Sequence, residues 1–138
     1  MTLPVAIRPA DSGDVGLIYS SWLKSYWDAR PPALRGVPRE VFFSDHGHHG
    51  VITRLLPRSS VLVACEPEDP SEIYGWLCAS PRALHYVYVK ELWRRKHVAT
   101  RLINAIGSWP MPVSHVTEAF TRHLAKDVRL DPYAMMEA

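Results

Sequence analysis

Across residues 84–106 the apolar spacing changes from every second residue to every third or fourth, and the change falls on a cluster of cations. Leu84-His85-Tyr86-Val87-Tyr88-Val89 reads as a short alternating strand. Val98, Leu102, Ile103 and Ile106 then mark one face of a helix that Gly107 can end. Arg94, Arg95 and Lys96 stand between them. A strand, a tight turn and a helix in that order confine the chain to folds that place a helix across a sheet. The first amides of a helix lack intrahelical acceptors, and the helix dipole adds about half a positive charge there. Three cations beside such a terminus make a seat for a pyrophosphate, and the small Ala99 lets a phosphate approach the backbone. The competing reading is a solvated basic turn; the flanking strand and helix favour the anion site.

The rest of the chain supplies the other layers. Val5 to Arg8 is a short strand. Asp11 caps the following helix, with Asp14 three residues on. Val15, Ile18, Tyr19, Trp22, Leu23 and Tyr26 form its buried face. Pro31 and Pro32 end it, and residues 44–56 form a weaker second helix closed by Pro57. Residues 61–65 and 73–79, joined by a turn at 67–71, predict an antiparallel hairpin, with Gly75 marking a bulge or a close backbone approach. Residues 113–117 read as a further strand and 118–126 as a last helix. The order β-α-α-β-β-β-α-β-α predicts an α/β chain, one domain over residues 1–138, with a central mixed sheet flanked by helices.

Composition excludes more than it selects. The formal charge is only +2 over 138 residues, which gives no general affinity for nucleic acid or an anionic membrane. No apolar run approaches the roughly 20 residues that span a bilayer, and the first residues lack the regions of a signal peptide, so the expected location is cytoplasmic. Cys65 and Cys78 lie in apolar strand-like runs, where they read as buried thiols and candidate cross-strand neighbours. Asp45-His46-Gly47-His48-His49 invites a metal reading. Helical spacing sends His48 away from His46 and His49, so no metal is expected there and a polar loop or helix start is the better account.

In this setting the chain resembles the GNAT superfamily of N-acetyltransferases. The family's motif is a strand ending in Val, a short linker, then Arg or Gln, two variable residues, Gly, one variable residue, and Gly or Ala. Here it reads Val89, Lys90-Glu91-Leu92-Trp93, then Arg94-Arg95-Lys96-His97-Val98-Ala99. Weaker echoes are Ile7-Arg8-Pro9-Ala10, Val61-Leu62-Val63-Ala64 and Ile73-Tyr74-Gly75-Trp76, so the likeness covers roughly residues 5–125. His97 departs from the pattern by standing at the first glycine. An ordinary helical backbone at that position would accommodate it.

The resemblance implies acetyl-CoA as the acetyl donor. The pantetheine arm would pair with the backbone of Val87 and Val89, and the pyrophosphate would sit on the amides of Arg94, Arg95, Lys96, His97, Val98, Ala99 and Thr100. It implies direct attack by an amine on the thioester, the acceptor being a small-molecule or peptide amine; a homodimer is left open. The alternative is a catalytically inactive GNAT-fold binding or interaction module. A third reading, nucleic-acid binding through Arg94, Arg95, Lys96 and Arg101, lacks a broad basic stripe.

For catalysis, no Asp or Glu lies between Arg82 and Lys90. His85 is the candidate base, since imidazole accepts a proton near neutrality. Its competing reading is a partly exposed strand-end histidine. Strict alternation puts His85 on the face of Val87 and Val89, and Tyr86 with Tyr88 on the other. His123 and Tyr88 are the further catalytic candidates, and Tyr133 is a candidate acid or a tail residue packed on the sheet. Trp27 with residues 30–38 is the candidate wall of the acceptor site.

Overall fold

A computed structural model describes residues 2–117 and 129–137. Four strands, β1 (Ala6–Pro9), β2 (Ser60–Glu66), β3 (Asp69–Ala79) and β4 (Leu84–Val89), form one antiparallel sheet in chain order. Helices α1 (Val15–Asp28), α2 (Arg39–Phe43) and α3 (His48–Leu55) serve one face, and α4 (Val98–Ile106) covers the other. Asp11 and Asp14 form the expected capping box, on a single 3-10 turn that leads into α1. Arg8 grips the Asp14 carboxylate with two bonds of 2.8 and 3.0 Å, fixing β1 to the start of α1.

The sheet has a different core on each face. Under α1 and α3 lie Trp22, Tyr26, Trp76, Cys78 and Tyr86. Under α4 lie Leu77, Leu84, Val98, Leu102 and Ile103, with Val87 and Val89 packed beside them. Leu84 joins Val87 and Val89 because β4 carries a bulge: Cys78 pairs with Tyr86 and Ala79 with Leu84, leaving His85 as the extra residue. The strict alternation that placed His85 with Val87 and Val89 therefore fails at that residue. Gly75 meets both expectations made of it. The ladder shifts beside it, and a Cβ there would lie 2.4 Å from the Tyr88 carbonyl oxygen.

Other elements differ from the sequence reading. The helix expected over residues 44–56 begins at His48, and α2 precedes it. Gly47 makes that tight junction possible, since a Cβ there would stand 1.9 Å from the Val41 carbonyl oxygen. The strand expected at 113–117 is reduced, among the described residues, to parallel bridges of Val113 with Leu84 and Leu130. The helix expected at 118–126 lies outside the described residues. Cys65 and Cys78 are both buried but pair with Ile73 and Val61, so they are not cross-strand neighbours. No helix among the described residues is long and apolar enough to cross a membrane.

Candidate active site

The turn between β4 and α4 is built on left-handed backbone. After a short 3-10 turn at Glu91–Trp93, Arg94 is extended, Arg95 has φ 63°, and His97 has φ 64° and ψ 20°. The expectation of helical backbone at His97 is thus corrected: the residue holds the conformation that a glycine adopts freely. Histidine is among the side chains that enter this region more often than most. A left-handed residue followed by helical ones turns successive N–H groups into one concavity, a nest for an anion. No side chain caps α4 from His97, so its first amides stay available. Arg94, Arg95, Lys96, His97 and Thr100 are exposed, Ala99 is half-buried, and Val98 is buried in the core beneath α4. Val98 can therefore offer a ligand only its amide. Trp93 packs on Tyr74 with ring centres 4.4 Å apart, which holds the turn against the sheet.

Among the described residues, the outer edge of β4 has a strand-like partner only at its start, away from this turn. Leu84 N donates to Pro112 O at 2.9 Å, and Ser114 N donates to Leu84 O at 3.1 Å. Beyond that pair the two segments have no further bridge among the described residues. Lys90 N donates inward to Tyr74 O, so alternation turns the backbone groups of Val89 and Val87 to the outer edge. Arg94 Nε donates to the Val89 carbonyl at 2.9 Å, which covers one of those groups.

His85 is fully buried rather than partly exposed, and both ring nitrogens are engaged. Nε2 lies 3.0 Å from Ser80 Oγ and Nδ1 lies 2.7 Å from Ser114 Oγ. Ser114 Oγ continues to His115 Nδ1 at 2.8 Å, and His115 Nε2 to His48 Nε2 at 2.8 Å. Burial lowers His48 and His85 to about 4. It pushes His115 well below its ordinary value, helped by the neighbouring His48 and His85. All three rings are neutral at pH 7. A rate limb near 6.5, the unperturbed histidine value, is therefore not expected from His85.

The remaining candidates are dispersed. Tyr88 is half-buried and packs near Trp76, at 6.2 Å between ring centres. The Tyr86 hydroxyl bonds Ser25 Oγ at 2.7 Å, and burial holds that phenol above its usual range. Tyr133 is 69 % exposed rather than packed on the sheet. His123 lies outside the described residues. Arg101 donates to the carbonyls of Leu3 and Val5 at 3.2 and 3.3 Å, which ties it to the N-terminal segment instead of a basic stripe. Trp27, Arg30, Pro31, Pro32, Leu34 and Arg35 line a cavity of about 420 Å³, at the wall expected for the acceptor. His46 is exposed, His48 is buried, and His49 stacks on Tyr19 at 4.6 Å; no metal-holding cluster occurs among the described residues.

Sequence reasoning missed His48, Ser80, Ser114 and His115 as members of one group. The polar Ser114-His115 pair after Val113 was the one local signal. What joins it to residues 48, 80 and 85 is tertiary.

No family model matches the chain, nor does any curated protein sequence. Solved structures do. A GCN5-related N-acetyltransferase of Rhodopseudomonas palustris aligns with 91 % of this chain and 81 % of its own, at TM-score 0.64 and 16 % identity. The histone acetyltransferase HPA2 and related acetyltransferase of Corynebacterium glutamicum aligns over 75 % and 70 %, at TM-score 0.53 and 18 % identity. At such identities the likeness establishes the fold, and the fold of this chain is that of the GNAT acetyltransferases.

Proposed function

We propose that this GNAT-fold chain is an N-acetyltransferase that moves an acetyl group from acetyl-CoA to an amine by direct attack on the thioester. The observation that carries the reading is the left-handed His97 immediately before the uncapped start of α4, just after the exposed cations Arg94, Arg95 and Lys96 and beside the outer edge of β4. The residues fit the donor. Arg95 and Lys96 with the amides of His97 to Thr100 would hold the pyrophosphate, and Val87 and Val89 would pair with the pantetheine amides once Arg94 leaves the Val89 carbonyl. Bound there, acetyl-CoA supplies an activated acyl group. The chain supplies orientation and an electropositive seat. The cavity at Trp27 and Arg30 is the place for the amine, which is a small molecule or a peptide.

The test is a thermal-shift titration with acetyl-CoA and CoA, followed by a thiol-release screen of amines. Acetyl-CoA at 100 times its dissociation constant adds about 2.7 kcal/mol to stability. No melting shift at millimolar acetyl-CoA, with no heat of binding, would exclude the donor site. A second reading, a GNAT-fold binding module without turnover, is favoured by one contact: Arg94 already occupies the Val89 carbonyl. CoA binding with no thiol release from any amine would select it.

A further inference from the structure

The segment after α1 carries cations that the donor site does not use. Arg30, Arg35 and Arg39 follow Trp27 closely, and the one carboxylate between Trp27 and Arg39 is Asp28, which Lys24 holds at 2.6 Å. Pro31 disfavours helical backbone in the residue before it. Arg30 accordingly leaves α1 at φ 49°, in the left-handed region where a helix usually ends on glycine. Its amide returns to the Trp27 carbonyl at 3.1 Å. A 3-10 turn at Pro32–Leu34 follows, and the amides of Leu34, Arg35 and Val37 bond the carbonyls of Pro31, Pro32 and Leu34. The segment is therefore wound tightly enough to hold both arginines in place.

Arg30 and Arg35 line the cavity of about 420 Å³ beside Trp27 and Leu34, and among the described residues no carboxylate lines it. A cation at the end of a helix commonly serves the helix itself, by bonding its last carbonyls. Arg30 does not: among the described residues neither its side chain nor that of Arg35 has a hydrogen bond or an ion pair. Arg39 differs, since its guanidinium lies over the Phe43 ring, 4.5 Å from the centre. A guanidinium presents a planar fork of donors that matches a carboxylate or a phosphate and repels an ammonium. Trp27 and Leu34, both half-buried, add an apolar wall. The end of α1 also lies against β4, for Ser25 Oγ bonds the Tyr86 hydroxyl at 2.7 Å, one residue before Val87.

We infer that the acceptor is a small amine that also carries an anionic group, a carboxylate or a phosphate, and that Arg30 and Arg35 hold that group while the rest of the molecule packs on Trp27 and Leu34. The inference rests on the acyltransferase reading and narrows it. A cavity of this size lies toward the lower end of small-molecule sites, which suits a molecule of amino-acid dimensions. Polyamines and other polycationic amines are poor acceptors, because two cations and no carboxylate face them. A neutral amine lacks the group that would satisfy the two guanidiniums.

The test is thiol release from acetyl-CoA with four matched sets of amines: amino carboxylates of increasing chain length, aminoalkyl phosphates, the primary carboxamides of those carboxylates, and diamines of the same lengths. One anionic set is expected to exceed the carboxamides and diamines in kcat/KM by about tenfold or more, the value of a charge-assisted hydrogen bond. The better of the two anionic sets identifies the anion. Arg35→Gln should bring that preference toward one with the acetyl-CoA Kd unchanged. Arg30→Gly should do the same without lowering the melting temperature, because φ 49° suits glycine. Carboxamides or diamines that turn over as well as the anionic amines, or a preference that survives both variants, would overturn the proposal and leave the acyltransferase reading standing. Binding is read without turnover from the indole nitrogen-15 signal of Trp27, assigned through Trp27→Phe. It should move with the anionic amines and not with the diamines. No movement with any anionic amine, in the free protein or with CoA bound, would overturn the site. Movement in a protein that binds no acetyl-CoA would instead remove the acyltransferase reading, and the acceptor role with it.

Discussion

The two faces of the sheet solve opposite problems. Under α4 the core is mostly aliphatic, and its charges stand outside it, on a turn that solvent reaches. Under α1 and α3 the core is aromatic and holds polar rings at its centre, with His48 8 %, His85 0 % and His115 2 % exposed. Cations on a turn incur little desolvation and keep their charge for a ligand. Imidazoles inside give up charge, and both ring nitrogens of His85 and His115 find partners. One face can therefore be read as a place to hold an anion, and the other as a closed core that keeps its imidazoles neutral.

Acid sharpens this contrast most. The folded state binds His48 protons only near pH 4, whereas the unfolded chain binds them from about 6.5 downward. The unfolded state therefore gains protons first as pH falls, and stability drops between those values. His48 alone should cost about 3 kcal/mol by pH 4, and His85 acts in the same direction. Urea denaturation at pH 7 and pH 4.5 reads the slope, and a flat stability over that span would break the comparison. Asp14 does not confuse the window. Its carboxyl is held below the ordinary value, first by the Arg8 hydrogen bonds, so its loss comes at lower pH.

The cationic turn is the next largest. Arg95→Ala and Lys96→Ala should each weaken CoA about tenfold or more, the value of a lost charge-assisted hydrogen bond. Both should leave the melting temperature of the free protein unchanged, because the side chains are exposed. Calorimetry gives the affinity. Equal CoA affinity in both variants would make the turn a solvated surface and erase the distinction between the faces.

The smallest effect comes from one dihedral. At φ 64° a histidine carries left-handed strain that glycine does not. His97→Gly should therefore stabilise the protein, by about 0.5 kcal/mol after the added chain entropy. A thermal melt of the free protein measures it. A lower melting temperature would mean that the His97 ring contributes packing that outweighs the strain.

Much of the α4 side was legible. The strand, the turn and the helix are contiguous, and their periodicities are local properties of the chain. The helix begins at Val98 and ends at Ile106, where the spacing places it. The first helix and its acidic cap were legible for the same reason. The short α2 was not, because its five residues carry too little pattern to register. His85 shows the limit most clearly. Its residue type was a signal, but one extra residue in β4 moved it off the face that alternation assigns.

The sequence by itself determined the order of β1, α1, β2, β3, β4 and α4, the amphipathic faces of α1 and α4 and the basic turn before α4. Each depends on residues within a few positions of one another, where backbone geometry couples neighbours directly. Only the tertiary structure decided that His97 is left-handed and that Arg94 lies on the Val89 carbonyl. It also decided that residues 48, 80, 85, 114 and 115 form one hydrogen-bonded chain. A buried polar atom takes its partner from whatever the packing brings within about 3 Å. Sequence spacing does not carry that distance.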